Sequence, residues 1–517
     1  MNTTKKQSTK QVLKNYFAAG FPCIAIQTSE EARAMAEVLA AAAAVDPPRA
    51  VLTWSATEGL VPVGGKPVPD TEDLQAALMQ KVRPETVTVL RDAHVWPFDR
   101  VPPMLRAFRD YVSAGPAVGS CVVVLGPSFE PHPTVAKLVT VMDFELPDAD
   151  ALREIAEGSA RAAVESKVGD AARLAVTDDI VKAAGGMTTS EAENAMALSI
   201  IETGGLDAAI VYREKVKAVR RSGLLTVIDA DPRGMDAVGG LDVLKTWIAK
   251  RRRVWSPEAE AFGLPSPKGI ALIGLPGCGK SLVAKCIGST LGVPTLSLDI
   301  GSLFNSLIGE SEARTREALK LAEAQAPCVL VVEEIEKALA GAGDSGGGDS
   351  GVGKRVFGTI LTWLQERKRP VFLIASANKI TGLPPELFRK GRFDEIFAVD
   401  LPNPRERLAI LGLQLDAKGR ASEALRSQRV VDATEGFTGS EIEAVVDEAM
   451  FRAFDAGHDL ELDDLVWATG EIVPLCTTAK EQVDALREWA QGRARFASAA
   501  EETTTTVTAA RTRRLAS

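Results

Sequence analysis

Gly274-Leu275-Pro276-Gly277-Cys278-Gly279-Lys280-Ser281 is the stretch on which the reading of this chain turns. It fits the pattern G-x-x-x-x-G-K-[ST], and its flanks fit as well: an apolar run, Ile270 to Ile273, leads in and a helical run, Leu282 to Leu291, leads out. A strand, a glycine turn and a helix in that order let backbone N–H groups curl around an anion, helped by the positive end of the helix. The pattern predicts a phosphate cradle built from Pro276, Gly277, Cys278, Gly279, Lys280, Ser281 and Leu282. Lys280 reaches the terminal phosphates in this reading, and the Ser281 hydroxyl ligates Mg²⁺.

About fifty residues further on, Cys328-Val329-Leu330-Val331-Val332 reads as a buried strand that ends in Glu333-Glu334. Nucleotide hydrolysis needs one carboxylate beside the metal and one to polarise water, which assigns Glu333 to the metal and Glu334 to the water. Val371 to Ala375 is a third such strand, ending in Ser376-Ala377-Asn378. A neutral amide there can hold the attacking water or the γ-phosphate without competing for the metal, so Asn378 is a candidate sensor.

Outward from this centre, short apolar runs alternate with helical stretches from Gly269 to Leu401, and again from about Gly20 to Leu225. Both halves therefore predict a parallel sheet with helices on its faces. At an offset of about 250 residues the halves resemble one another. Ile24-Ala25-Ile26 lies against Ile270-Ala271-Leu272, Phe144-Glu145-Leu146-Pro147 against Val399-Asp400-Leu401-Pro402, and Gly186 to Glu193 against Gly436 to Glu443. A degenerate duplication accounts for this. The earlier copy carries Gln27-Thr28-Ser29-Glu30-Glu31 where the later has glycines and lysine, and Arg91-Asp92 where the later has paired acids. No phosphate cradle forms there, and acids repel a nucleotide. Beyond Pro404 the pattern is helical, Ala340 to Gly353 has the composition of a flexible loop, and the Thr-rich end reads as a disordered tail.

The bulk properties exclude several classes. A chain of 517 residues calls for roughly three to four compact units. A net charge of −9 argues against a general basic field for nucleic acid, and the run Lys250 to Arg253 reads as a solvated helix face. Six scattered cysteines and three scattered histidines give no disulfide framework or metal constellation, and the cysteines fit a reducing, cytoplasmic setting. No apolar run approaches the roughly 20 residues that span a bilayer.

With these residues in place the chain resembles the AAA ATPases proper. Ala237-Val238-Gly239-Gly240-Leu241 is similar to the family's lead-in motif near adenine, and Gly309-Glu310-Ser311-Glu312, Phe388-Arg389-Lys390-Gly391-Arg392-Phe393-Asp394 and Gly436-Phe437-Thr438-Gly439-Ser440-Glu441 are family-like too. Gly269 to Cys286, Glu333 to Lys337, Phe357 to Gln365 and Pro384 to Asp394 most resemble a subgroup first noticed as a chloroplast open reading frame and also found in bacteria.

The resemblance implies an αβα sandwich around a parallel sheet with a C-terminal helical lid, behind a degenerate ATPase-like α/β domain. The expected bounds are residues 1–225 for the degenerate domain, 226–402 for the nucleotide-binding domain, 403–496 for the lid and 497–517 for the tail. ATP and Mg²⁺ are the implied ligands, with Val238, Gly239, Gly439 and Ser440 joining the cradle. Arg389 and Arg392 are implied to complete a neighbouring subunit's site, hence a homo-oligomer, most simply a hexameric ring.

Three departures stand out. Leu307-Ile308-Gly309 lacks the aromatic of a polypeptide-gripping pore loop, Glu333 stands where Asp is usual, and Phe437 replaces a frequent His and is given only packing. The extra methylene of Glu333 moves the metal-side carboxylate by about one bond length, which octahedral Mg²⁺ tolerates poorly. The expected activity is ATP hydrolysis coupled to remodelling of a protein partner. A slow-turnover switch or scaffold is the alternative, with a nucleic-acid motor behind it. The amino-terminal half is expected to recognise a partner or regulate assembly.

Overall fold

The computed structural model describes residues 8–95, 101–127, 129–170, 173–303, 310–337, 350–367, 369–380, 383–389 and 391–499. Two compact units emerge, Met1–Val211 and Tyr212–Ser517. The boundary falls within the helix Ala208–Arg221. The reason is packing: Val219, Leu224 and Leu225 are buried with Val227 and Met235 in the core of the second unit.

In the first unit, β1 (Cys23–Gln27), β2 (Ala50–Ser55), β3 (Gly59–Pro62), β4 (Thr86–Arg91), β5 (Cys121–Gly126) and β6 (Val139–Asp143) form a sheet of order β3-β2-β4-β5-β1-β6. All pairings are parallel except β2 with β3. Cys23 and Ala25 enter one core cluster with the helix Pro102–Ala114, whereas Ile24 and Ile26 enter another with the helices Thr9–Ala18 and Glu31–Ala43. Both faces are thus covered, as expected for strands without a polar side. The helices Ala149–Glu165, Asp178–Ala184 and Thr189–Thr203 follow and bury Leu152, Ile180 and Met196 together.

In the second unit, β7 (Thr226–Ile228), β8 (Gly269–Gly274), β9 (Thr295–Leu298), β10 (Cys328–Val332), β11 (Val371–Ala377), β12 (Glu395–Val399) and β13 (Arg495–Phe496) form a sheet of order β13-β12-β8-β11-β10-β9-β7. Every residue of β8, β10 and β11 is buried. In register, Ile273 pairs with Ala377, and Ala375 with Val332. The turn after β8, the acids after β10 and Asn378 after β11 consequently leave the sheet at one carboxyl edge, the place where open parallel sheets bind ligands. The lid helices Pro404–Ala417, Gln428–Ala433, Gly439–Ala456 and Leu462–Glu471 pack on Leu411, Leu415, Ile442 and Leu465, with Phe437 buried among them.

Several expectations need correction. Residues 495–497 belong to the sheet rather than to lid or tail. The Ala497 N–H donates to the Ala398 carbonyl at 2.9 Å, and its own carbonyl accepts from Val243 and Leu244. Ser350–Gly353 opens the helix Ser350–Glu366 instead of ending a flexible loop, because Val356, Phe357, Ile360 and Leu364 anchor that helix in the core. The rest of that glycine-rich stretch, the pore-loop residues Leu307 to Gly309, and residues 500–517 lie outside the described residues. Lys250 to Arg253 are not a helix face, since the helix Asp242–Ala249 has ended. Arg251 is partly withdrawn from solvent, its guanidinium 3.3 Å from the Trp247 ring centroid.

Candidate functional site

The cradle residues fold as their types dictate. Gly277 and Gly279 adopt φ of 80° and 88°, a region that costs other residues strain. A Cβ at Gly277 would stand 2.2 Å from the Ser440 Oγ, so the lid can approach only a glycine here. The helix Lys280–Leu291 begins at Gly279 with no side-chain cap, leaving its first N–H groups available to an anion. Lys280 is only 6% exposed, and its ammonium donates to the Gly274 and Leu275 carbonyls at 2.8 and 2.7 Å. Burial pulls its pKa down, while Cys278, Glu336, Glu334 and Glu333 oppose that pull. Burial also pushes the Cys278 thiol up to about 12.

The carboxylates stand opposite. Glu334 holds φ of 51°, a left-handed conformation that a non-glycine residue keeps only when its surroundings impose it. Its N–H donates to the Ser376 Oγ at 3.3 Å, its carboxylate accepts from the Asn378 Nδ2 at 3.0 Å, and it pairs with Lys337. The Asn378 backbone N–H donates to one oxygen of Glu336 at 2.9 Å. The other oxygen of Glu336 is buried without a hydrogen-bond partner.

A cavity of about 410 Å³ brings these groups together. Its lining contains Val238, Gly239, Pro276, Gly277, Cys278, Gly279, Lys280, Ser281, Leu282, Glu333, Glu334, Asn378, Gly439 and Ser440, every nucleotide-side and metal-side residue singled out from the sequence. The lining also has an apolar slot, to which Ala237, Val238 and Gly239 and the lid residues Ile410 and Leu413 contribute. A Cβ on Gly239 would come 2.5 Å from the Ile410 Cγ1, which fits glycine alone. Lid and cradle also meet through the backbone, the Ser440 N–H donating to the Gly277 carbonyl at 3.1 Å.

The donor set fits a nucleoside triphosphate: an uncapped helix start and an ammonium for the phosphates, and an apolar slot for a base. For magnesium, Ser281 and Glu333 are the groups at hand. No cluster of three or more His, Cys, Asp or Glu able to hold a metal occurs among the described residues. A site with one or two protein ligands is the usual magnesium arrangement, with phosphate and water supplying the rest.

Residues 270–401 match the ATPase family associated with various cellular activities (AAA), and residues 427–465 an AAA+ lid domain. Residues 9–144 match the N-terminal domain of SpoVK-like AAA ATPases and residues 150–222 their second domain. Among similar proteins, the uncharacterized AAA domain-containing protein ycf46 of Guillardia theta is 34% identical over 495 residues, covering 93% of this chain and 94% of its own length. Its counterpart in Pyropia yezoensis is 39% identical over 366 residues, covering 70% and 73%. This chain belongs to the Ycf46-type AAA ATPases.

In this Ycf46-type chain the two predicted arginines lie outside the cavity lining. Arg389 is exposed, whereas Arg392 is 9% exposed and donates to the Glu386 carbonyl. Sequence reasoning missed Glu406, 4% exposed on the lid helix. One of its oxygens accepts from the Leu241 N–H at 2.7 Å, and the other from the Asn403 N–H at 3.0 Å. It thereby ties the lid to the motif that lines the apolar slot. The capping-box spacing Asn403 to Glu406 was the available signal. Asp400 was missed too; it lines the cavity and accepts from the Arg487 Nε at 2.8 Å, a pairing across 87 positions that no local pattern announces.

Proposed function

We propose that this protein binds ATP with Mg²⁺ and hydrolyses it, and that assembled copies use the cycle to remodel a protein partner. The observation that carries the reading is the convergence, in one cavity, of an uncapped helix start, a buried lysine and a glutamate held by an asparagine. Lys280 leaves its two carbonyls for the β- and γ-phosphates. Ser281 and Glu333 hold the metal, whose role is to neutralise developing phosphate charge. Glu334 orients and deprotonates the attacking water, while Asn378 hands its amide from Glu334 to the water or the γ-phosphate. Arg389 acts on the site of the next copy, consistent with its exposure and its absence from its own chain's cavity lining.

A slow switch is the second reading, and one observation favours it. Glu334 is engaged by Asn378 and Lys337 at a strained φ, so turnover requires its release before water can be activated. Phosphate release by the full chain separates the two. Under the first reading Glu334→Gln retains ATP while losing steady-state phosphate release; under the second, wild type already releases little and the variant behaves like it.

A protein partner is preferred to nucleic acid because the net charge is −9. No helix among the described residues is long and apolar enough to cross a membrane. A reducing aqueous compartment suits the six free cysteines, five of them buried. The first unit, which has no glycine cradle, serves in this proposal for partner recognition or control of assembly.

A further inference from the structure

The helix Lys480–Ala490 follows the lid in sequence, yet its apolar stripe does not join the lid core. Val483 and Leu486 are 4% and 3% exposed and sit in the core of the nucleotide-binding sheet. Two more contacts extend from the same helix. The Trp489 ring packs on Phe388, centroids 5.3 Å apart and planes at 60°, and Arg487 holds Asp400 at the cavity wall.

Phe388 immediately precedes Arg389. On the far side of this loop, the Asp394 carboxylate accepts from the Lys268 and Gly269 N–H groups at 2.7 and 3.0 Å, which fixes it to the start of β8. The loop is therefore held at both ends. One end is held by the main sheet, the other by Leu387, buried in the core, and by Phe388 against a ring of the C-terminal helix; Arg389 stands exposed between them. Arg392 is buried and spends a guanidinium N–H on its own chain, so Arg389 is the arginine free to reach outward.

We propose that the helix Lys480–Ala490 is a brace for the arginine loop, with Trp489 a positioning residue that aims Arg389 at the active site of a neighbouring copy. The inference rests on the reading in which Arg389 acts between copies. Positioning matters because a displacement of about 1 Å in a group that meets the transition state can cost about 100-fold in rate. Phe388 offers no polar handle, so apolar packing on the core and ring-on-ring contact with Trp489 are what resist its movement.

The test uses full-length chains in mixed assemblies. Trp489→Ala is expected to lower ATPase turnover about 10- to 100-fold while leaving ATP affinity within about twofold, and Trp489→Phe is expected to restore turnover. Glu334→Gln is inactive in its own site but retains a well-placed Arg389. Mixing it with Trp489→Ala should recover activity above either variant alone, because the intact glutamate of one copy then meets the well-placed arginine of the other. Arg389→Ala mixed with Glu334→Gln is the reference. If that reference recovers activity and the Trp489→Ala mixture does not, the brace is wrong although the arginine acts between copies. If neither mixture recovers activity, the reading of Arg389 itself falls, and the brace with it. Unchanged turnover in Trp489→Ala also overturns the proposal, and a thermal unfolding midpoint near wild type excludes simple misfolding as the cause of a loss.

Discussion

The chain contains two sheets of one plan, and they differ at the point where a nucleotide would sit. With the two-residue edge strand β13 set aside, the parallel strands of each unit numbered in chain order read 5-1-4-3-2 in both sheets: β6-β1-β5-β4-β2 in the first unit and β12-β8-β11-β10-β9 in the second. The backbone plan extends to detail. Asp92, just after β4, holds φ of 54°, as Glu334 after β10 holds 51°. In both units a threonine capping box starts a long helix, at Thr188 with Glu191 and at Thr438 with Glu441. The chemistry is inverted. After β1, the Glu30 carboxylate is buried, pairs with Arg33 and accepts from the Thr189 N–H at 2.6 Å. Arg91 meets Glu31 at 3.1 Å. The helices that follow β1 and β8 both start without a side-chain cap, but in the second unit that start lines the cavity, whereas in the first the Glu30 carboxylate beside it links the sheet to the capped helix Thr189–Thr203.

The largest expected difference concerns the two left-handed acids. Glu334→Gln should reduce phosphate release by about 10²- to 10⁴-fold, the usual contribution of a general base. Asp92→Asn, at the matching place, should leave turnover unchanged. A comparable loss in both, measured with full-length protein, would mean that the first unit takes part in the chemistry and that the contrast drawn above is mistaken.

Next in size is the contrast between Lys280 and Glu30. Lys280→Ala removes a charged donor from the cradle and should weaken ATP binding about 10- to 100-fold, the equivalent of about 1.5–3 kcal/mol. Glu30→Ala should leave ATP affinity alone and instead destabilise the first unit by about 1–3 kcal/mol, since it strands the Thr189 N–H and a guanidinium beside it. Calorimetry reads the first effect, and denaturant unfolding with hydrogen exchange across Thr189–Thr203 reads the second. Exchange there that is indifferent to Glu30 would remove the carboxylate from its linking role.

How much of this was legible depended on the range of the interaction. The cradle, its strand and its helix lie within 22 consecutive residues, Ile270 to Leu291, and glycine spacing with apolar periodicity announces all three. Acids at Glu30 and Glu31 were legible as hostile to nucleotide. Their neutralisation was not, because Arg91 and the Thr189 N–H arrive from distant positions. Arg33 was closer to hand, a single helical turn along, where opposite charges pair. The return of β13 to the sheet could not be read either, since two residues carry too little pattern and the pairing spans almost one hundred positions. Composition misled in Ser350–Gly353, where tertiary anchoring of Val356 and Phe357 overrides the weak helix propensity of Gly and Ser.

The smallest expected effect gives the finest discrimination, because the two capping boxes are nearly the same object in different settings. Thr188 and Thr438 each accept from the N–H three residues on, and each glutamate returns a bond to its threonine N–H. Thr188→Ala and Thr438→Ala should each cost about 1 kcal/mol of local stability, the typical value of such a cap. Only Thr438 stands over the cradle, its Oγ1 3.0 Å from where a Cβ of Gly277 would lie and 3.3 Å from the Ser440 Oγ. Thr438→Ala should therefore also weaken ATP binding by about twofold to fivefold, through a looser Ser440 contact with the Gly277 carbonyl, worth up to about 1 kcal/mol. Thr188→Ala should not. Equal ATP affinities in the two variants would make the lid's first turn a structural cap alone, and the resemblance of the two units would then extend to function at that position.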